Sequence, residues 1–380
     1  MNSGDKKERI SVCFTMLKAY PLFNPEIETV FGGAEVDFYN IATELARDGN
    51  YKVSFIVADY GQKRAEVRES VTLLRSVDFH KNLISASIRL WRALRTADAQ
   101  IYVRELCSAV TTEVALFCKR YGRKFVYRTA SAVECDGTYL RENFFHGKGF
   151  VWSLRHADAV IAQNENDARN LSASTGVCAQ VIRNAYRLPT LAEPEKDTIL
   201  WVGRSAAVKC PQLFLKLAKQ MPQQQFIMIC QRATDDTRYD ELIARAKQIK
   251  NLEFIPRVPF NKIHEYFLRA KVFVNTSSYE GFPNTFIQAC KCAAPILSLN
   301  VNPDDFLNKH TCGISCNGDW QRMVDSLKFL LEDERYVQMG ENGKKYVEEN
   351  HDVTKIIQQY KTLFEKLVSR KTPADASSAP

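Results

Sequence analysis

The chain has 380 residues, 45% hydrophobic and 25% charged, enough for two domains of ordinary size. That composition excludes a disordered or fibrous chain, and no apolar run approaches the ~18–20 residues a membrane-spanning helix needs. The net charge of +8 is concentrated, because 81–128 holds ten Lys or Arg against three Asp or Glu. No nucleic-acid-binding motif accompanies this excess, so no nucleic acid is expected as a partner. An anionic membrane surface or a diphosphate lipid fits it better. The eleven Cys residues are scattered, as in a reducing cytosol. The opening MNSGDKKERI runs straight into a strand, so no secretory signal is expected and the location read is cytoplasmic. Cys290, Cys292, Cys312 and Cys316 have poor spacing for zinc, and we expect no metal there.

In chain order, 9–17 reads as a strand, and Gly32 and Gly33 open a helix that Gly49 ends. Residues 51–58 form the second strand, completing a βαβ start. The turn lacks G-x-G-x-x-G, so no dinucleotide fingerprint is present, but paired glycines let another molecule approach the backbone closely. Residues 60–80 are charged and take no clear element. The stretch 82–95, NLISASIRLWRALR, reads as a helix with Leu83, Ile84, Ile88, Trp91 and Leu94 apolar and Arg89, Arg92 and Arg95 interleaved. Both a membrane-surface element and an ordinary helix packed on a sheet fit that pattern. Strands at 100–104 and 124–129 flank a helix at 108–121, and the second runs into TASAVECDGTYLREN. A strand at 157–163, a helix at 165–175 and a strand at 179–184 close this half. Residues 189–198, PTLAEPEKDT, read as an interdomain linker.

A strand at 198–203 opens the second half. Arg204 and Lys209 follow, and Pro211 starts a helix at 211–220. Strands at 225–230 and 252–255 and a helix at 261–270 lead to a buried strand at 271–276. Then comes the turn chemistry of 277–283, a helix at 285–293 with Asn284 as its expected N-cap, and a strand at 295–299. The N–H groups of Asn284, Thr285 and Phe286 at such a corner suit a diphosphate. Helices near 319–332, 335–349 and 354–369 finish the chain, and 371–380 is a disordered tail by composition.

E-G-F-P-N-x-F-x-x-A, beginning at Glu280, resembles the signature of the retaining family-4 (group 1) glycosyltransferases. V-G-R-x4-K-x-P, from Val202, resembles their donor-phosphate pair. F-G-G-A-E after Y-P-L-F-N-P resembles bacterial surface-polysaccharide enzymes of that family. The resemblance covers about 10–370 and is strongest over 198–305. It implies an α/β GT-B fold, two Rossmann-like domains facing each other across a cleft. Residues 1–190 with a crossover helix at 354–370 would bind the acceptor, and 191–353 the nucleotide sugar. The resemblance gives Arg204 and Lys209 the leaving diphosphate and Glu280 the donor sugar. Position 288 faces the ribose, and Gln288 stands where the E-x7-E pattern has its second Glu. Gly32 and Gly33 lie beside the acceptor and the transferred sugar, and Arg257 and Val258 pack the base. Phe282, Pro283, Asn284 and Thr285 complete the donor corner. The His that many members carry just after the strand at 124–129 is absent. Ser131 stands near its place, with Glu134 and Asp136 as acceptor-side candidates for holding or deprotonating a hydroxyl.

The activity implied is a retaining, hexosyltransferase-type transfer. A front-face route needs the leaving phosphate stabilised by fixed cations, which Arg and Lys supply. Asp235 and Asp236 lack Asp-x-Asp spacing, so metal independence is expected. No cofactor is expected beyond a UDP- or GDP-linked donor sugar. The acceptor would be a glycan or lipid-linked glycan in polysaccharide or glycoconjugate biosynthesis, with the protein peripheral at the inner membrane face. A nucleotide-sugar epimerase on the same fold stays open. So does a catalytically weak relative acting as a binding partner, which Gln288 and the missing His favour.

Overall fold

The computed structural model describes residues 9–369 apart from 28, 30, 188–193, 234–235 and 261. Much of the expected linker, Asp235 and the expected tail lie outside the described residues. The chain divides into two units at Ala185/Tyr186 and Asp352/Val353, where the sequence reading placed the breaks at 190/191 and 353/354. The shift has a local cause: the Tyr186 N–H donates to the His351 carbonyl (3.0 Å), so the two crossings pair side by side.

Unit 1 begins with β1 (Ile10–Thr15), α1 (Tyr20–Phe23), α2 (Gly33–Ala46), β2 (Tyr51–Val57), β3 (Ala65–Arg68) and β4 (Val71–Arg75). It continues with α3 (Leu83–Ala97), β5 (Ile101–Glu105), α4 (Ala109–Tyr121), β6 (Lys124–Arg128), α5 (Ala132–Cys135) and α6 (Thr138–Glu142). α7 (Phe144–Arg155), β7 (Ala159–Ala162), α8 (Glu165–Thr175) and β8 (Gln180–Val181) follow. The sheet order is β3-β4-β2-β1-β5-β6-β7-β8, parallel except for β3. Continuous apolar runs such as Val12-Cys13-Phe14 suit strands buried on both faces. Residues 60–80, unassigned from sequence, supply the β3–β4 hairpin. β3 (AEVR) is short, polar and half-exposed, the composition of an edge strand rather than a core one.

The helix read at 82–95 is α3, capped by Asn82 Oδ1, which accepts from the Ser85 N–H (2.9 Å). Its apolar residues do not form one buried stripe. Leu90, Ala93, Leu94 and Ala97 are buried, and Trp91 packs edge-on to Phe117. Leu83, Ile84 and Ile88 remain exposed.

Unit 2 contains β9 (Thr198–Arg204), α9 (Pro211–Gln220), β10 (Gln225–Gln231), α10 (Tyr239–Ala246), β11 (Leu252–Ile255) and α11 (His264–Arg269). Then come β12 (Ala270–Asn275), α12 (Asn284–Lys291), β13 (Ile296–Ser298), α13 (Phe306–Lys309), β14 (Gly313–Ser315), α14 (Trp320–Leu331) and α15 (Arg335–Asn350). All strands are parallel in the order β11-β10-β9-β12-β13-β14. The chain winds outward from β9 in one direction and from β12 in the other. That reversal opens a crevice at the carboxyl ends of these two strands. α11 is shorter than the helix expected at 261–270, because Ala270 already pairs with Thr198 as the start of β12. α15 passes so close to α12 that a Cβ on Gly340 would lie 2.0 Å from the Ala293 carbonyl oxygen. α16 (Val353–Ser369) returns the chain to unit 1, where Tyr360 and Phe364 are fully buried and Lys361 Nζ pairs with Asp48 (2.5 Å).

Candidate functional site

The loops that leave β9 and β12 meet at the reversal point of the unit 2 sheet. Lys209 ends a short 3-10 turn, and its Nζ donates to Glu280 Oε2 at 2.5 Å. The other Glu280 oxygen accepts from Asn275 Nδ2 (2.9 Å) and Ser277 Oγ (2.6 Å). Burial pushes the Glu280 carboxyl up, but the Lys209 charge and these three donors outweigh it and hold it below the ordinary carboxylate value. It therefore stays ionised at neutral pH. A carboxylate offers about four acceptor positions, so three donors leave room for one substrate hydroxyl.

The two loops are locked together by neutral groups. Trp201 Nε1–H donates to Thr276 Oγ1 (3.0 Å), Thr276 Oγ1–H donates to the Lys209 carbonyl (2.7 Å), and the Ser278 N–H donates to the Val208 carbonyl (2.9 Å). The Trp201 ring lies over Gly203, where an added Cβ would meet Cη2 at 2.8 Å. Glycine in the V-G-R run thus admits the indole that steadies Lys209. Cys210, in the left-handed region (φ 45), turns the chain into Pro211. Arg204 is the last residue of β9, and its guanidinium makes no hydrogen bond or ion pair among the described residues. One unengaged cation thus ends β9 and one engaged cation stands on the loop that leaves it.

The corner around α12 differs from expectation in its cap. Pro283 (φ −65, ψ 127) is the N-cap, without a side-chain cap bond, and Asn284 is the first helical residue. The Phe286 N–H donates to the Pro283 carbonyl (2.9 Å), so it is not one of the groups left for a ligand. Phe282 is buried against Phe306 and His351, which anchors the loop. Gln288 is buried, and its Nε2 donates to the Tyr186 hydroxyl at 3.4 Å. Arg257 and Val258, both half-buried, follow β11.

In unit 1, Gly32 caps α2 and its N–H donates to Glu35 Oε2 (2.7 Å), with Gly33 the first helical residue. Ser131 is the N-cap of α5. Glu134 is buried, and it accepts from the Tyr127 hydroxyl (2.7 Å) and from the Ala130 (2.9 Å) and Cys107 (3.4 Å) N–H groups. Burial raises its carboxyl above the usual range. Asp136 is exposed and accepts from the Thr138 N–H (2.8 Å). A group with no counterpart in the sequence reading lies at the ends of β5 and β6. There the fully buried Arg128 donates to Glu105 (3.0 Å), Asp37 (3.2 Å) and Asn184 (2.6 Å). Sequence reasoning also missed Asn275, Ser277, Thr276, Trp201 and Tyr186. The first two sit five and three residues before Glu280, where a polar strand end was a usable signal. Tyr186 gave none.

Residues 183–346 match the family model described as glycosyl transferases group 1. A curated relative is 23% identical over 261 residues, 64% of this chain and 70% of the relative. It is N-acetylgalactosamine-N,N'-diacetylbacillosaminyl-diphospho-undecaprenol 4-alpha-N-acetylgalactosaminyltransferase of Campylobacter jejuni subsp. jejuni serotype O:2. Among solved structures, sucrose-phosphate synthase from Thermosynechococcus elongatus superimposes with a TM-score of 0.78 at 15% identity, over 96% of this chain and 100% of that one. A glycosyltransferase from Rickettsia africae ESF-5 does so with a TM-score of 0.69 at 12% identity, over 96% and 100%. These likenesses show the GT-B class of α/β fold expected from the sequence.

Proposed function

We propose that this chain, whose residues 183–346 match the model of the group 1 glycosyl transferases, is an enzyme of that kind and moves a sugar from a UDP- or GDP-linked donor to a glycan or lipid-linked glycan with retention of configuration. The observation that carries the reading is the Lys209–Glu280 pair at the reversal point of the unit 2 sheet, with Arg204 at the carboxyl end of β9. Departure of a nucleoside diphosphate builds negative charge on its phosphates. Fixed cations stabilise that charge more in the transition state than in the ground state. Lys209 has three ammonium protons and spends one on Glu280, leaving two for phosphate oxygens. Arg204 supplies a second cation in a planar fork suited to phosphate. Glu280 orients a hydroxyl of the donor sugar, Gln288 serves the ribose, and Arg257 and Val258 pack the base. Phe282, Pro283, Asn284 and Thr285 shape the corner, and Gly32 and Gly33 admit the reacting groups. We assign the acceptor to unit 1, with Ser131 and Asp136 as its exposed or half-exposed candidates and Glu134 behind them. The name of the Campylobacter relative, which specifies a sugar on diphospho-undecaprenol, supports a lipid-linked acceptor.

The test is calorimetric titration of the purified protein with UDP, GDP and ADP, then with their sugars. Saturable binding of one base, followed by slow hydrolysis of its sugar nucleotide without acceptor, is the expected result. Absence of binding to every nucleotide overturns the donor site.

A further inference from the structure

We propose that Tyr186, on the first of the two chain crossings, is a positioning residue for the donor ribose: it holds the Gln288 amide with the nitrogen turned inward, so that the amide oxygen faces the ribose as an acceptor. The assignment rests on the donor site proposed above and says how position 288 works within it. A Gln amide has two unlike ends, a nitrogen that only donates and an oxygen that only accepts. A ribose hydroxyl both donates and accepts, so it does not choose between them. An ionised Glu, as in E-x7-E, offers acceptor oxygens in either orientation. Gln288 does the same only where another group engages its nitrogen.

The Tyr186 hydroxyl is that group. It accepts from Gln288 Nε2 at 3.4 Å, and Nε2 makes no other hydrogen bond among the described residues. Gln288 Oε1 makes none, yet it is not one of the polar atoms sealed from solvent, although the residue as a whole is only 7% exposed. The small open part of Gln288 therefore includes its acceptor. Gln288 lies one turn beyond Asn284 on the same face of α12, at the corner assigned to the donor.

Tyr186 can impose an orientation because it is itself fixed. It is buried, its N–H donates to the His351 carbonyl (3.0 Å), and its backbone pairs with Asp352. Lys291 Nζ stands 5.6 Å from the centroid of its ring. Lys291 follows Gln288 by three residues, so one face of α12 grips Tyr186 at two points. The His351 ring in turn packs on Phe282, with centroids 5.0 Å apart, in the loop that carries Glu280. The second crossing thus ties the sugar end of the donor corner, at Glu280, to its ribose end, at Gln288. A side chain oriented beforehand loses little rotamer freedom when the ligand arrives, which favours binding.

The experiment is calorimetric titration of the full chain and of Tyr186→Phe with the nucleoside diphosphate that the parent binds. The 2′-deoxy and 3′-deoxy forms follow, and then forms with fluorine in place of each hydroxyl. In the parent, loss of one of the two hydroxyls should weaken binding about tenfold. Fluorine cannot donate, so it should not restore that loss. Tyr186→Phe keeps the ring and removes only the hydroxyl. It should bind the intact nucleotide about fivefold more weakly and the deoxy form as the parent does, so the ratio between the two falls to about twofold. A general loosening of the corner would weaken both forms alike and keep the ratio. Tyr186→Phe with Gln288→Glu should regain the parent's ratio, since a carboxylate accepts through either oxygen. An unchanged ratio in Tyr186→Phe, a fluoro form that binds like the intact nucleotide, or absence of rescue by Gln288→Glu each overturns the proposal and leaves the donor site standing. A parent that binds no nucleotide removes the donor site and the proposal with it.

Discussion

Lys209 and Glu280 stand 71 positions apart in the chain and 2.5 Å apart in the fold. The pair joins the loop after β9 to the loop after β12, at the point where the sheet order reverses. It also fixes a position and a charge in one step: the ammonium is placed by the carboxylate, and the carboxylate is kept ionised by the ammonium.

Removing Lys209 tests that coupling. Lys209→Ala should lower kcat by at least about a hundredfold, ~3 kcal/mol, because the lost charge acts mainly on the developing diphosphate. Steady-state kinetics with the base identified by titration reads it. Full activity in this variant removes the leaving-group assignment.

Gln288→Ala should weaken nucleotide binding about tenfold, with a modest loss of stability of ~1 kcal/mol from the missing bond to Tyr186. Gln288→Glu, which restores the E-x7-E spacing, should bind at least as well as the parent. Calorimetry on both variants decides, and unchanged binding in the alanine form removes the ribose role.

Two carboxylates shift in opposite directions, and the pH dependence of stability follows. Glu280 sits below the ordinary value, so its contribution is present above the unfolded pKa and is lost as pH falls through the folded one. Glu134 sits above the ordinary 4.5, so it is protonated longer in the folded state. Its contribution is complete below the unfolded pKa and is lost as pH rises through the folded one. Urea midpoints measured from acid to neutral pH should therefore fall less steeply on the alkaline side in Glu134→Gln. Glu280→Gln should flatten the acid side instead. The slope of each curve is the readout, since either substitution also changes hydrogen bonding.

Arg128→Ala leaves Glu105 and Asp37 buried without their shared cation. Breaking a buried ion pair on one side costs about 3–5 kcal/mol, and urea denaturation of unit 1 should show a loss of that order. A loss under 1 kcal/mol would mean that water or neighbouring groups already satisfy the two acids.

The corners of the fold were legible in the sequence because their signals are short-range. Apolar runs marked β1, β9 and β12, and turn residues marked the loop before α12. The V-G-R-x4-K and E-G-F-P runs marked, before any coordinates, two loops that the sheet order brings together at Lys209 and Glu280. Errors at this level were also local: Asn284 looked like a cap, but Pro283 supplies the extended entry, and the Phe286 N–H is consumed by the Pro283 carbonyl. What each residue touches was decided elsewhere. Crossovers in a parallel sheet bring together loops from strands distant in sequence, so the grip of Lys209, Asn275 and Ser277 on Glu280 belongs to the sheet order. The same holds for Tyr186 against Gln288 and for Arg128 against Asp37. Periodicity identified the apolar residues of α3 but could not say which of them neighbours would cover. β5 and α4 take Leu94 and Trp91, while Leu83 and Ile84 extend past the last packed turn and stay bare.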